Sequence, residues 1–127
     1  MRVIFVRHAT AEGRDKKPDA ERALTGKGRE QAGRTAEGLK RIGATARHVL
    51  TSPLARAVQT AEIVAETFGA ATVEPAEFLA PPVDADAMIE RIDALVEDGA
   101  EAVVLVGHAP TLDQLAETLA VGKAVGL

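Results

Sequence analysis

Apolar positions in this chain repeat in two rhythms. Near-continuous apolar runs occur at residues 2–6 (RVIFV), 48–51 (HVLT) and 101–107 (EAVVLVG), with a weaker run at 71–75 (ATVEP). Short runs of this kind, rich in Val and Ile, predict strands covered on both faces. Between them, apolar residues recur at helical spacing. One set is Ala32, Ala36, Leu39 and Ile42, and a second is Leu54, Val58, Ala61, Ala65 and Phe68. A third is Met88, Ile92, Leu95 and Val96, and a fourth is Leu112, Leu115, Ala116 and Leu119. Each set makes one stripe down a helix. The alternation predicts an α/β fold, a three-layer sandwich around a mainly parallel central sheet with right-handed crossovers.

Two segments break the rhythm. Residues 9–24 are polar and contain Pro18, which predicts a long loop over the first strand. Residues 74–84 (EPAEFLAPPVD) hold three prolines and cannot be one regular helix. No internal repeat or low-complexity tract is present, and 127 residues suit a single domain, 1–127, with one substantial core.

Composition narrows the function classes. A net charge of −4 argues against nucleic acid or an anionic membrane as the main partner, so any basic site has to be local. The absence of cysteine removes disulfides, thiolate nucleophiles and Cys-ligated zinc, and fits a cytoplasmic location. The N-terminus lacks the pattern of a signal peptide, and no stretch approaches a membrane span. With 2% aromatic residues, base-stacking platforms are not expected.

The first strand ends in Arg7 and His8, two groups that lose free energy on desolvation. Their placement is explained if they share an anionic ligand, since ligands of open α/β sheets sit outside the carboxyl ends of the strands. The same rule gathers more residues. The second strand runs into TSPLAR, where Ser52 suits an N-cap, Pro53 a first helical position, and Arg56 the first turn or just beyond. Helical side chains lean towards the N-terminus, so Arg56 leans back over the strand ends. The fourth strand ends in VGHAP, where Gly107 permits close approach and His108 leaves the strand.

Two arginines and two histidines therefore converge on one mouth, with helix N-termini beside them and no acidic group obliged to neutralise them. A phosphoryl group is the natural occupant. A neutral imidazole is a competent nucleophile at phosphorus, two guanidiniums can hold the equatorial oxygens, and a second, protonated imidazole would donate to them. No Walker loop, carboxylate cluster or His-x-x-x-His occurs, so neither a cofactor nor a metal is expected. His48, which starts a strand at the opposite end of the sheet, reads as structural. The charged stretches 15–17 (DKK) and 90–98 (ERIDALVED) read as solvated.

VRHATA, LTGKGREQA, SPLARAVQTAEIV and VLVGHAP, in this order and spacing, resemble the histidine phosphatase superfamily, and within it the small phosphohistidine phosphatases of the bacterial SixA type. The resemblance runs from residue 1 to about residue 119. It implies a phosphoglycerate mutase-like fold, His8 as phospho-acceptor, Arg7 and Arg56 as phosphate clamps, and His108 completing the pocket. Arg22, in the loop before the first helix, is a weaker candidate for substrate contact. The implied partner is a protein carrying phosphohistidine.

Two departures from the family pattern matter. Other branches carry an acidic residue after the third strand as general acid, whereas this chain reads Leu79-Ala80-Pro81, with Glu77 out of register. An alkoxide leaving group needs such a proton, but a phosphohistidine imidazole leaves readily because its conjugate acid has a pKa of about 6.5. The missing acid therefore favours a phosphoramidate substrate over an alkyl ester, and the minimal loops, which leave little to build a lid over a small substrate, suit a protein surface. Family members also continue into further strand, so the C-terminal strand region is expected to be short or missing. Residues 120–127 (AVGKAVGL) are then expected to form a short substitute strand or to be poorly ordered, with the open edge of RVIFV paired in a dimer or a crystal contact, unless the chain continues beyond residue 127. Two other functions remain open: a small-molecule phosphoester phosphatase using Glu12, Asp15 or Glu77 as the acid, and a non-catalytic phosphate-binding module.

Overall fold

The computed structural model describes residues 1–15, 17–69 and 72–125. The apolar runs become strands β1 (Arg2–Arg7), β2 (His48–Thr51), β3 (Thr72–Pro75) and β4 (Ala102–Gly107). Ala71, the first residue of the weaker run, lies outside the described residues. The helical stripes become α1 (Gly26–Arg41), α2 (Ala55–Phe68), α3 (Ala85–Glu97) and α4 (Ala109–Val125). The strands pair in the order β1-β4-β2-β3, and every pairing is parallel.

Alternation along the strands divides the core in two. Val3 and Phe5 of β1, Leu50 of β2, and Val103 and Leu105 of β4 face Met88, Ile92 and Leu95 of α3 and Leu112 and Leu115 of α4. Ile4, Val6, Val49, Val104 and Val106 face Ala36 of α1 and Ala57, Ala61 and Val64 of α2. Two apolar layers on either side of one sheet make the three-layer sandwich. The alanines let α1 and α2 lie close together and close to the sheet.

Local chemistry marks the helix ends. Thr25 caps α1, its Oγ1 accepting from the Gly28 amide at 2.9 Å, and Asp84 caps α3, accepting from the Ala87 amide at 3.0 Å. Gly43, at φ +77°, turns the chain after α1.

Three sequence expectations need correction here. Ile42 is not on a buried stripe: it follows the last residue of α1 and is 76% exposed, because the helix ends before its turn is completed. Val96 is also exposed, on the far side of α3 from the buried Met88, Ile92 and Leu95. The third correction concerns residues 120–127. Residues 120–125 continue α4 rather than forming a substitute strand, and residues 126 and 127 lie outside the described residues. β1 occupies one edge of the sheet. No helix among the described residues is long and apolar enough to cross a membrane.

Candidate functional site

Strand register brings the two histidines together. Arg7 of β1 pairs with Gly107 of β4, so His8 and His108 are the next residues along the same ladder. The His8 amide continues the ladder by donating to the Gly107 carbonyl at 3.0 Å. Parity then selects a face. Ile4 and Val6, and likewise Val104 and Val106, face α2, so by alternation both histidines emerge on the α2 side. Their rings meet edge-on with centroids 5.0 Å apart.

His8 has a defined hydrogen-bonding polarity. Its Nδ1 lies 2.8 Å from the Ala9 carbonyl, which can only accept, so Nδ1 carries the proton and Nε2 keeps its lone pair. Arg56 directs Nε towards that Nε2 at 3.4 Å. Burial holds the His8 pKa below its usual 6.5; the Ala9 bond opposes this, and the charges of Arg56, Arg7 and Arg22 add to the lowering. Ala9 is itself pinned, its amide donating to Thr60 Oγ1 of α2 at 3.2 Å.

Arg56 is the second residue of α2 and is buried. Its backward lean brings it to His8, and a carboxylate shares it. Arg56 donates to the Asp19 carbonyl at 2.8 Å through Nη1 and to Asp19 Oδ2 at 3.2 Å through Nη2. Asp19 opens a 3-10 turn, Asp19–Glu21, within the long loop, and its Oδ1 accepts from Arg22 Nη1 at 2.7 Å. The expectation that no acidic group would neutralise the arginines is therefore corrected: Asp19 bridges Arg22 and Arg56. Arg22, followed by Arg56, holds the Asp19 carboxyl below the usual carboxylate range. Arg22 is anchored through Nε to the Glu12 carbonyl at 2.7 Å.

His108 is buried, and its Nε2 lies 2.7 Å from Ser52 Oγ. Burial, then the charges of His8 and Arg56, push its pKa down to about 4, with Asp19 opposing. A protonated His108 is therefore corrected to a neutral one near pH 7. Ser52 is corrected too. The cap position of α2 is Leu54, with no side-chain cap bond, and the fully buried Ser52 contacts His108 instead. Gly107 gives the close approach foreseen: a Cβ there would stand 2.9 Å from the Leu79 carbonyl oxygen and 3.1 Å from Leu112 Cδ2. That contact also runs the end of the turn Glu77–Leu79 past the mouth, with Pro81 exposed just beyond.

Arg7 is exposed, and among the described residues its side chain has neither hydrogen bond nor ion pair, while its charge reaches His8. Glu12 is engaged elsewhere, accepting from the Ala23 amide at 3.0 Å and pairing with Lys17 at 2.9 Å. Lys16, within the charged stretch 15–17, lies outside the described residues. Among the described residues no three His, Asp or Glu side chains sit together as a metal site would need. His48 lines a cleft of about 620 Å³ at the amino ends of the strands, with Arg47, Asp98 and Glu101, away from His8 and His108.

The neighbours of the site that sequence reasoning missed are polar side chains of α1 and α2. Thr60 sits among Ala57, Ala61 and Val64, and its hydroxyl both accepts from Ala9 and donates to the Arg56 carbonyl at 2.9 Å. Gln59 accepts from the Leu24 amide at 2.7 Å, and Gln31 of α1 accepts from the Thr10 amide at 3.1 Å, so helix side chains hold both ends of the loop. For Thr60 the available signal was a polar residue within a buried stripe. For Asp19 the signal was its i,i+3 spacing to Arg22.

A protein of Picosynechococcus, itself uncharacterised, is 36% identical over 97% of this chain and 75% of its own length. The protein histidine phosphatase SixA, solved with tungstate, superposes with a TM-score of 0.82 at 30% identity, covering 91% of this chain and 74% of that one. Ecdysone phosphate phosphatase of Bombix mori, also solved with tungstate, shares the fold with a TM-score of 0.78 at 18% identity, over 94% of this chain and 77% of that one. The family model of the histidine phosphatase superfamily, branch 1, matches residues 3–80, a span that includes Arg7, His8, Arg22 and Arg56. With β1 and β4 delivering two histidines to a buried arginine, and with these likenesses across nearly its whole length, the chain belongs to the histidine phosphatase superfamily.

Proposed function

We propose that the chain is a phosphohistidine protein phosphatase working through a covalent phosphohistidine on His8. The observation that carries this reading is the Nδ1 bond of His8 to the Ala9 carbonyl, which leaves Nε2 unprotonated, with its lone pair turned towards Arg56 Nε at 3.4 Å. Nε2 forms a bond to phosphorus as the substrate P–N bond breaks. The departing imidazole, protonated at its other ring nitrogen, keeps the bonding pair and leaves as the neutral ring. Water then attacks phospho-His8, releasing inorganic phosphate and restoring neutral imidazole. Arg7, Arg56 and His108 surround the phosphoryl oxygens, and Arg22 stands behind Asp19 at the rim.

The substrate class rests on the missing acid. Pro81 stands where a proton donor would be expected, and the carboxylate that does reach the site, Asp19, is held ionised by two guanidiniums. An ionised Asp19 has no proton to give an alkoxide leaving group, which favours the phosphoramidate reading. The likeness to SixA supports a protein substrate.

Turnover of phosphohistidine, aryl phosphates and alkyl phosphates tests the reading. Phosphohistidine and reactive aryl phosphates are expected to be hydrolysed much faster than alkyl phosphates. His8→Ala is expected to lose turnover, and acid-labile, base-stable phosphate on the quenched wild-type protein should vanish with it. Arg7→Ala, Arg56→Ala and His108→Ala should each cost about 10²–10³ in rate, the scale of one lost transition-state donor. Normal turnover in His8→Ala, or a sugar phosphate handled as well as phosphohistidine, would refute the proposal.

A further inference from the structure

His108 presents a counting problem that Ser52 resolves. The imidazole is more than nine-tenths buried, and its Nδ1 has no hydrogen-bond partner among the described residues. Its Nε2 lies 2.7 Å from Ser52 Oγ, and Ser52 is itself fully buried. A hydroxyl has one proton to give and two lone pairs to receive with. The Leu54 amide, 3.3 Å away, takes one lone pair of Ser52 Oγ. Among the described residues, the remaining neighbour able to accept the Ser52 proton is His108 Nε2. If Nε2 carried the imidazole proton instead, the buried Ser52 proton would be stranded, a loss comparable to an unmade hydrogen bond. Since His108 is neutral near pH 7, an accepted proton at Nε2 leaves the ring's own proton on Nδ1.

We infer that Ser52 is a positioning residue that locks His108 in its Nδ1–H tautomer, so that a neutral imidazole still offers a hydrogen-bond donor to the phosphoryl group on His8. This removes a conflict within the site. A donor is wanted beside His8, yet a second cation there is opposed by burial and by Arg56. The Ser52 hydroxyl provides the donor without the charge. It also accounts for the retention of a buried, unpaired Nδ1 on a ring whose centroid lies 5.0 Å from that of His8: that nitrogen is the one left to gain an acceptor when a phosphoryl oxygen arrives. The inference rests on the proposed role of His8, but the tautomer can be read without any turnover.

Nitrogen NMR of 15N-histidine-labelled protein at pH 7 reads it directly. With three histidines in the chain, assignment needs only substitutions at His48 and His8. The wild type is expected to show His108 with a protonated Nδ1 and an unprotonated Nε2. A wild-type Nε2–H tautomer overturns the inference, whatever the enzyme hydrolyses. In Ser52→Ala, with folding checked by circular dichroism, the His108 signals should move to the Nε2–H form. kcat on an aryl phosphate should fall about tenfold to a hundredfold with a smaller change in KM, because a donor to developing charge acts mainly in the transition state. A folded Ser52→Ala protein with wild-type kcat, or one that loses activity while keeping the Nδ1–H tautomer, refutes the route through His108. If Ser52→Ala does not fold, the wild-type spectrum alone decides. Absence of wild-type turnover on every phosphate would count against the phosphatase reading and leave the tautomer result standing.

Discussion

Nε2 of His8 and Nε of Arg56 lie 3.4 Å apart, so the imidazole lone pair faces a permanent cation. One guanidinium is thereby placed to disfavour protonation of His8 and, in the proposed reaction, to receive the phosphoryl oxygens. That dual placement comes from α2, which starts two residues beyond Pro53 and presents Arg56 at its second position.

The pairing sets a pH dependence. In the proposed reaction His8 must be neutral, and burial together with Arg56, Arg7 and Arg22 keeps its pKa below 6.5. The acid limb of kcat/KM on an activated aryl phosphate should therefore lie below pH 6.5. An acid limb above pH 6.5 would contradict this environment for His8.

Asp19 competes for the clamp. Its carboxylate occupies Arg56 Nη2 and Arg22 Nη1, donors that an oxyanion would also use. Asp19→Asn should bind inorganic phosphate or tungstate more tightly. The gain should be modest, up to about fivefold, because ion pairs made by exposed carboxylates are worth about 0–1 kcal/mol. Calorimetry or product inhibition reads the change, and weaker binding would mean that Asp19 holds Arg56 in its productive position instead.

Stability should fall with acidification across a defined window. His108 has a folded pKa of about 4 against an ordinary 6.5, so between those values the unfolded chain binds the extra proton. Stability then rises with pH and is lost as pH falls from 6.5 towards 4, by on the order of 3 kcal/mol at most. Urea unfolding at pH 7 and pH 5 measures the difference. His108→Asn should flatten the dependence, leaving only the smaller contribution of His8.

Gly28 carries a steric demand that reaches the nucleophile. A Cβ at this position in the first turn of α1 would sit 2.0 Å from the backbone oxygen of Thr10. Gly28→Ala must displace Thr10 and, with it, Ala9, whose carbonyl orients His8. Overpacking of this kind costs about 1–3 kcal/mol. Both the thermal midpoint and kcat should drop, and an unchanged kcat would show that His8 keeps its orientation without this contact.

Much of the molecule was legible in the chain itself. Unbroken runs such as RVIFV and AVVLVG can satisfy their backbone and bury both faces only inside a covered parallel sheet, and the stripe Met88, Ile92, Leu95 can only be a helix face. The rule that ligands gather at the carboxyl ends of such strands then singled out Arg7, His8, Arg56 and His108. Periodicity failed at element ends, where Ile42 and Val96 continued a pattern after the helix had stopped or turned away. A period describes an infinite helix, and a cap is a local event.

What the sequence could not contain is which polar groups meet across the fold. Ser52 has the composition and spacing of an N-cap, and only the register of β2 against β4 carries it to His108 instead. Asp19 lies 37 residues from Arg56 in a polar loop, and nothing in that interval indicates that they pair. The protonation of His108 was misjudged for the same reason: charge at an imidazole depends on the burial and the cations packed around it. Local pattern determined the strands, the helices and the residues sent to the strand ends, because backbone hydrogen bonding and apolar burial are decided over a few neighbouring residues. Tertiary structure alone decided the tautomers, the counterion and the state of charge, because those follow from distances between segments remote in the chain.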